Sequence, residues 1–309
     1  MAEYLIEPGG IARKSRLWFR EIALCVIEAR PLVLLIYLLR LAAGYVLVRP
    51  GTVPTPLWRP LVVVLTWLFA AGSVYLLDGV TDMMEDRLNG SSRPIARGAL
   101  RREVALVVSI VWAGLALAGS VPLGTPYTVL VPLMLLLGYL YVVPPMRLKR
   151  WSVGAGATVL VAGLLTFVAG GAANGTPVAV VVTSVPLLIF AAAMSAWMGL
   201  VGALAKDFTD VYGDAAAGRR TSAVVRGAHR TAWRLSINAA AIAVVFLAAA
   251  RRLAPGLLWP AAALALGAMA VILGSTRTAD PRRRPGPYRA FMTTQYLAHL
   301  ALLSVAMVH

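Results

Sequence analysis

Long apolar runs, separated by short polar segments, recur along the whole chain. Nine of these runs are candidate membrane spans, and several approach the ~20 residues that a helix needs to cross a bilayer. The predicted spans are 31–48, 59–79, 103–119, 126–143, 154–171, 178–204, 232–250, 257–274 and 291–308. This pattern predicts an all-α integral membrane fold with nine transmembrane helices.

The residues before the first predicted span have a different pattern. Within 13–29, basic residues alternate with apolar ones such as Leu17, Trp18 and Ile22. Such a mixture is typical of a short helix lying at the membrane interface, and no cleavable signal peptide is evident. We therefore expect an N-terminal cytoplasmic or interfacial segment, 1–30, followed by one membrane domain, 31–309.

Composition narrows the class of protein further. Of 309 residues, 60% are hydrophobic, and the mean hydropathy is +0.78, far above a soluble domain. The single cysteine, Cys25, excludes an internal disulfide and a cysteine metal site. The net charge of +16 would suit a nucleic-acid-binding protein, but its distribution favours a topological origin, so no nucleic-acid partner is expected.

The basic residues indicate which way the bundle faces. With the N-terminus inside, 24 of the 29 lysines and arginines fall in inner segments and 4 in outer ones, while Arg40 lies within the first span. Basic residues collect on the cytoplasmic side of membrane proteins. The count therefore predicts a cytoplasmic N-terminus in a cell-membrane protein. A cytoplasmic loop at 277–289 is expected to bind anionic lipids. Arg30 is expected to reach the membrane interface, and contact with the substrate phosphates is the alternative.

Two acidic clusters stand out in this apolar, basic chain. They share one spacing, 128 residues apart, in Asp82-x3-Asp86-x3-Gly90 and Asp210-x3-Asp214-x3-Gly218. Each has one more aspartate just upstream, Asp78 or Asp207, and arginine soon after. In the predicted topology both clusters lie at cytoplasmic helix ends, so they open onto the same compartment.

The spacing suggests a chemical role for these clusters. Carboxylates at positions i and i+4 share a helix face and repel each other unless a cation lies between them. Mg²⁺ prefers a few carboxylates together with substrate phosphate oxygens. The alternative is a solvated helix end whose aspartates pair with nearby arginines. Two clusters of equal spacing on one side favour a cradle for a metal-bound diphosphate.

Several motifs together resemble those of the UbiA superfamily of intramembrane prenyltransferases. The resemblance covers nearly the whole chain and includes the acidic segments after the second and sixth spans. The matching segments are Asp82-Met-Met-Glu-Asp86, Arg93-Pro94-Ile, Tyr141-Val-Val-Pro-Pro-Met-Arg147-Leu-Lys149 and Lys206-Asp207-Phe-Thr-Asp210-Val-Tyr-Gly-Asp214. One departure is that Asp78-Gly79 stands where the family has Asn-Asp.

The resemblance implies a nine-helix bundle around a central apolar cavity, with Mg²⁺ as cofactor. The implied metal-binding and catalytic residues are Asp78, Asp82, Asp86, Asp207, Asp210 and Asp214. The residues implied to contact the substrate diphosphate are Arg93, Arg147, Lys149, Lys206 and Arg219. Tyr141 is expected to stabilise an allylic cation or to contact the acceptor, although an interfacial structural role is the alternative.

The expected function is Mg²⁺-dependent transfer of an isoprenyl group from a prenyl diphosphate to an aromatic or other lipophilic acceptor. Its expected partners are these two substrates and membrane lipids. A terpene cyclase of the same fold and a polyprenyl-phosphate phosphoribosyltransferase are alternatives. A transporter or lipid-binding protein is disfavoured by the paired aspartate motifs. The Lys206-Asp207-x-x-Asp210 form and the Arg147–Lys149 cations favour transfer over cyclisation.

Overall fold

The computed structural model of the chain describes residues 8–48, 56–276 and 284–308, with side chains described from 18 to 307. Arg49, most of the 277–289 loop and the first basic side chains of 13–29 therefore lie outside the described residues. Within the described part, the regular elements are helical. The α-helices are α1 Pro8–Glu28, α2 Pro31–Leu47, α3 Trp58–Thr81, α4 Met83–Leu88, α5 Arg102–Ser120, α6 Thr125–Val142, α7 Ser152–Gly171, α8 Val178–Val181, α9 Val185–Ala196, α10 Ala203–Asp207, α11 Val211–Ala216, α12 Ser222–Leu253, α13 Leu258–Ser275 and α14 Pro285–Val308.

The helices confirm a multi-pass membrane protein. Among the described residues, eight helical stretches are long and apolar enough to cross a bilayer. The end of α1 and the whole of α2 meet at a 66° bend, and they provide a ninth span if the bent pair counts as one. At 17 residues, α2 alone is short for a bilayer. The ninth span and the cytoplasmic N-terminus remain predictions.

Two predicted spans have different boundaries in the structure. The run 178–204 is not one helix, because α9 starts at Val185 with Pro186 in its first turn, where the missing N–H of proline is tolerated. The helix then continues through a π-helical stretch, Trp197–Gly202, to the end of α10. The predicted span 232–250 lies within α12, which begins earlier, at Ser222, with a basic segment that an apolar pattern does not reveal.

Small residues allow the central helices to pack closely. A Cβ atom at Gly44 of α2 would collide with the α7 backbone, 2.8 Å from the nitrogen of Gly171. A Cβ atom at Gly156 of α7 would lie 2.7 Å from the carbonyl oxygen of Gly199 in the π-helical stretch. Such close backbone approach is the usual way in which membrane helices associate. Gly156 is therefore a close-packing residue of α7.

The ends of several helices converge at one end of the bundle. Short helices α4 and α11 pack together, and the backbone N–H of Gly213 donates to Asn89 Oδ1 at 2.7 Å. The loop after α6 joins them, because the backbone N–H of Arg220 donates to the carbonyl of Arg150 at 2.8 Å. The segments that carry both acidic clusters are therefore neighbours in space.

Candidate active site

The first acidic cluster spans the junction of α3 and α4. Asp78 lies in the last turn of α3, and helical hydrogen bonds continue from the Asp82 N–H to Asp78 and from the Asp86 N–H to Asp82. Asp78 and Asp82 are buried and line a cavity between the helices. Asp86 instead pairs with Arg93, whose Nη1 lies 2.8 Å from Asp86 Oδ2. The four-residue spacing thus brings two of the three aspartates to the cavity.

The second cluster lies around α11. Asp207 Oδ2 accepts a hydrogen bond from the backbone N–H of Ser222 at 2.9 Å, which supports the start of α12. Asp210 pairs with Lys206 at 3.0 Å, and Asp214 is buried on α11. All three aspartates line a second, more open cavity beside the first.

Two cations from different segments pair with these carboxylates, and one of them reaches both clusters. Lys149, from the loop after α6, places its Nζ 2.7 Å from Asp78 Oδ1 and 2.6 Å from Asp82 Oδ1. Arg219 Nη2 contacts Asp82 Oδ2 at 2.6 Å, while its Nη1 lies 3.4 Å from Asp214 Oδ1. Arg219 therefore connects the first cluster to the second in one buried network.

A carboxylate that the sequence patterns did not single out joins this network. Glu85 Oε2 lies 2.7 Å from Arg219 Nη2, and its Oε1 lies 2.7 Å from Arg147 Nη2. Arg147 also contacts Asp82 at 3.2 Å. Glu85 follows Asp82 by three residues, which places both on one helix face. This three-residue spacing could have identified Glu85 from the sequence as a member of the cluster.

The network sets the charge state of its members. Burial and the neighbouring Asp78 act to raise the pKa of the Asp82 carboxyl, but Lys149 and Arg219 outweigh them and hold it below its usual value. Burial, a hydrogen bond with Asp82 and the charge of Asp82 raise the pKa of Glu85 to about 7. Mainly through burial, the pKa of Asp214 is also raised.

Arg93 lies behind the first cluster rather than in the cavity lining. Its Nε lies 2.7 Å from Glu28 Oε1, at the end of α1, and its Nη1 lies 3.7 Å from Asp78 Oδ2. Glu28 is fully buried and also accepts a hydrogen bond from the Ile95 N–H at 2.9 Å. This geometry suits a residue that positions Asp78 and Asp86, whereas direct contact with a diphosphate was expected from the sequence.

Arg30, expected at the membrane interface, instead lines the cavity. Its Nη2 lies 3.8 Å from Asp78 Oδ2, at the bend between α1 and α2. Arg30 and Arg147 have φ values of 58° and 35°, and in the described part of the chain they are the non-glycine residues with positive φ. Such backbone conformations cost of order 1–3 kcal/mol and cluster at functional sites.

Two adjoining cavities define the candidate site. The first, which we call the inner cavity, has a volume of about 140 Å³ and is mostly apolar, with its polar end at Asp78 and Asp82. The second, the basic groove, has a volume of about 520 Å³ and contains the second cluster. Both are lined by Tyr141, Lys149, Ala155, Ala203, Lys206 and Arg219. The two cavities therefore meet at the acidic network.

The donor set fits Mg²⁺ at the polar end of the inner cavity. No group of three or more His, Cys, Asp or Glu side chains among the described residues is arranged as a complete metal site. Asp78 Oδ1 and Asp82 Oδ1 nevertheless converge on one cation, the Lys149 ammonium. Mg²⁺ is commonly held by one or two carboxylates plus substrate phosphates and water, so these two aspartates suffice on the protein side.

Tyr141 lies where the two cavities join. Its ring lines both of them, and the Lys149 ammonium lies 6.0 Å from the ring centroid. This is the outer limit for a cation–π interaction. The residue therefore lies beside the acidic network, and its ring faces positive charge; its role towards an allylic cation or an acceptor stays a prediction.

Comparison with known proteins identifies the family. The model of the UbiA prenyltransferase family matches residues 37–298. A digeranylgeranylglyceryl phosphate synthase from Halobacterium salinarum is 34% identical over 211 residues, covering 67% of this chain and 68% of that protein. Another, from Methanoculleus marisnigri, is 30% identical over 189 residues, covering 61% and 63%.

Solved structures show the same fold. A UbiA homologue from Archaeoglobus fulgidus bound to DMAPP and Mg²⁺ has a TM-score of 0.67 at 19% identity and covers 92% of this chain and 99% of its own. An apo UbiA homologue from Aeropyrum pernix has a TM-score of 0.68 at 20% identity, covering 88% and 96%. The chain belongs to the UbiA prenyltransferase family and is a membrane prenyltransferase.

Proposed function

We propose that this prenyltransferase transfers an isoprenyl group from a prenyl diphosphate to a lipophilic acceptor in a Mg²⁺-dependent reaction. The observation that carries the proposal is the inner cavity, which combines a mainly apolar lining with the charged side chains of Asp78, Asp82, Lys149 and Arg219, together with those of Arg30 and Lys206. An isoprenyl chain fits the apolar part, and a diphosphate fits the charged end. Structures of the Archaeoglobus homologue with DMAPP or GPP and Mg²⁺ support this donor class.

The chemistry requires stabilisation of a leaving group. The bond between the allylic carbon and the diphosphate oxygen breaks, and diphosphate leaves with the electron pair. Mg²⁺, when bound at Asp78 and Asp82 with the second cluster as further ligands, would supply Lewis-acid stabilisation of that charge. Arg30, Lys206 and Arg219 line the same region and provide fixed positive charge for phosphate oxygens.

The acceptor completes the reaction. Its nucleophilic oxygen or carbon donates an electron pair to the allylic carbon and loses a proton. Apolar side chains such as Val33, Met134 and Leu137 line the inner cavity and exclude water from the allylic carbon, which would otherwise be converted to an alcohol. The adjoining basic groove offers room for an acceptor, which favours transfer over cyclisation of the prenyl chain.

The orientation of the site is part of the proposal. The residues of both clusters lie at the bundle end that also carries Arg220, Arg226 and Arg234, and the distribution of basic residues along the chain favours a cytoplasmic position for it. The active site would then take a prenyl diphosphate from the cytoplasm and an acceptor from the bilayer.

The test is turnover of the purified protein. Geranyl, farnesyl and geranylgeranyl diphosphates are offered with Mg²⁺, each with and without an isoprenyl glyceryl phosphate or 4-hydroxybenzoate. We expect prenylated product only with an acceptor, loss of turnover in EDTA, and at least a ~10²-fold lower rate for Asp82→Asn. Rapid formation of a cyclic hydrocarbon without acceptor, or full activity in EDTA, would refute the proposal.

A further inference from the structure

The basic groove contains three arginines whose charges are not matched by carboxylates. Arg220, Arg226 and Arg234 line the groove and are exposed. In the described part of the chain, none of the three side chains makes an ion pair or hydrogen bond. By contrast, Lys149 and Arg219 are both buried in ion pairs. The groove therefore has positive charge available for a ligand.

The fold brings these arginines onto one wall of the groove. Arg226 and Arg234 lie on opposite sides of a break in α12, where Gly227 has φ 79° and ψ 167°. An unbroken helix would separate these two residues by eight positions, or about 80° of rotation. Asp207 fixes the turn before the break through the Ser222 N–H. Arg226 and Arg234 line the same groove on either side of this break.

Another wall of the groove is apolar. It is formed by α7 and the π-helical stretch, with Gly156, Leu160, Gly199 and Leu200 in the lining. Val153, which also lines the groove, is 81% exposed. A ligand that fits both walls has an anionic head group and a hydrocarbon tail. An amphiphile from the bilayer has this chemistry, whereas a small aromatic acid would leave the apolar wall uncovered.

We propose that the basic groove binds the phosphate head group of the acceptor, and that the acceptor is an isoprenyl glyceryl phosphate. This inference rests on the proposed function and specifies its acceptor. The head group lies against Arg226 and Arg234, and the nucleophilic hydroxyl extends to the junction with the inner cavity at Tyr141 and Lys206. That the Halobacterium and Methanoculleus relatives are synthases of a diprenylated glyceryl phosphate agrees with this acceptor class.

The reaction balances with this acceptor. The acceptor hydroxyl oxygen forms a new ether bond to the allylic carbon, the carbon–oxygen bond to diphosphate breaks, and diphosphate leaves with the electron pair. The hydroxyl proton is released to a base or to water at the polar junction. The phosphate of the acceptor takes no part in bond changes, so the arginines that hold it act in binding.

The test measures the KM for the acceptor at saturating geranylgeranyl diphosphate. Geranylgeranylglyceryl phosphate is compared with its dephosphorylated alcohol and with 4-hydroxybenzoate, in wild type, Arg226→Gln, Arg234→Gln and Arg230→Gln. Arg230 is exposed on the same helix but does not line the groove, so it is the matched control. A charge-assisted hydrogen bond contributes about 1.5–3 kcal/mol, which corresponds to a change of about tenfold or more.

We expect Arg226→Gln and Arg234→Gln each to raise the KM for the phosphate acceptor by about tenfold or more, with the KM for the prenyl diphosphate unchanged. Arg230→Gln should match wild type, and the alcohol should be a poor acceptor for every variant. Equal use of alcohol and phosphate, preference for 4-hydroxybenzoate, or an equal effect of all three substitutions would overturn the inference. The last result would indicate a general attraction to anionic lipid.

Failure of this inference is distinguishable from failure of the proposed function. If 4-hydroxybenzoate is prenylated in a Mg²⁺-dependent reaction and the phosphate acceptor is not, the transfer activity stands and the acceptor assignment is wrong. If EDTA leaves turnover unchanged, or if no acceptor increases product formation over the prenyl diphosphate alone, the proposed function itself fails.

Discussion

Replacing Arg219 with glutamine tests whether the acidic network needs a cation, which can be either the arginine side chain or a divalent metal ion. Arg219 contacts Asp82 and Glu85 at 2.6 and 2.7 Å and lies 3.4 Å from Asp214. The substitution removes the one side chain that bridges both clusters in the described residues. Three carboxylates then repel each other more strongly, and we expect the metal-free protein to lose stability.

The size of the loss follows from burial. The Arg219 side chain is 9% exposed, and those of Asp82 and Glu85 are 10% and 11% exposed. Removing one partner of a buried ion pair typically costs about 3–5 kcal/mol. Lys149 still pairs with Asp82, and Arg147 still pairs with Glu85. We therefore expect Arg219→Gln to lower the free energy of unfolding by about 3 kcal/mol, the lower end of that range.

A divalent cation should recover much of this loss. A ligand that binds only the native protein stabilises it by about 2.7 kcal/mol at a concentration 100 times its Kd. Without the guanidinium, Asp82 and Asp214 have more uncompensated negative charge, so Mg²⁺ should stabilise the Arg219→Gln variant more than wild type. Thermal unfolding in detergent, with EDTA or with Mg²⁺, measures both effects.

Arg220→Gln is the matched control for this measurement. It removes the same charge one position further along, from a side chain that is exposed and unpaired in the described part of the chain, and such substitutions usually change stability by less than ~0.5 kcal/mol. Two results would contradict this reasoning. In EDTA, the Arg219→Gln variant would unfold at the same temperature as wild type, or Mg²⁺ would stabilise the variant and wild type equally.

Two further predictions concern orientation and protonation. In a Cys25→Ala background, Ser92→Cys should react with an impermeant thiol reagent only from the cytoplasmic side and Gly256→Cys only from outside; the reverse would overturn the topology. Burial raises the pKa of Glu85 to about 7 in the folded protein, from ~4.5 in the unfolded chain. Protonation of Glu85 therefore stabilises the fold fully below pH ~4.5, and this stabilisation is lost as the pH rises through ~7. Glu85→Gln in EDTA should lessen the fall in thermal stability between pH ~4.5 and ~7; an unchanged pH profile would contradict this assignment.

The membrane fold could be predicted from the sequence because bilayer insertion depends on long apolar runs. Those runs located all eight helical spans of the described residues, and the first predicted span, 31–48, corresponds to α2. The predicted helix boundaries were wrong where a proline or a glycine in the backbone determines them. Pro186 restarts a helix inside one apolar run, and Gly227 interrupts α12 within a basic segment that hydropathy does not reveal.

The candidate site could be predicted as two clusters but not as a network. Periodic spacing within one helix brought Asp78 and Asp82 together, and it also contained a signal for Glu85. The ion pairs that organise these carboxylates join residues far apart in the chain, such as Lys149 with Asp78 and Arg219 with Asp82. Sequence spacing carries no information on such pairs. The pairs of Arg93 with Glu28 and Asp86, which place it behind the first cluster, are of the same kind.

The departure from the family motif has a structural counterpart at Gly79. A Cβ atom at this position would lie 2.7 Å from Arg93 Nη2 and 3.0 Å from Glu28 Cδ, and closer still to Glu28 Oε1. The Glu28 carboxylate therefore fills the space that an aspartate side chain at position 79 would need. A carboxylate from α1 takes the place of one from α3, and it holds Arg93 at 2.7 Å.

This exchange predicts a compensating pair of substitutions. Gly79→Asp alone places a second carboxylate against buried Glu28, and overpacking in a full interior typically costs 1–3 kcal/mol before charge repulsion is added. Combining Gly79→Asp with Glu28→Ala removes the clash and leaves one carboxylate near Arg93. Thermal unfolding should show a marked loss for Gly79→Asp and a smaller loss for the pair. If the double variant is as unstable as the two single losses added together, the two carboxylates do not compete for one space.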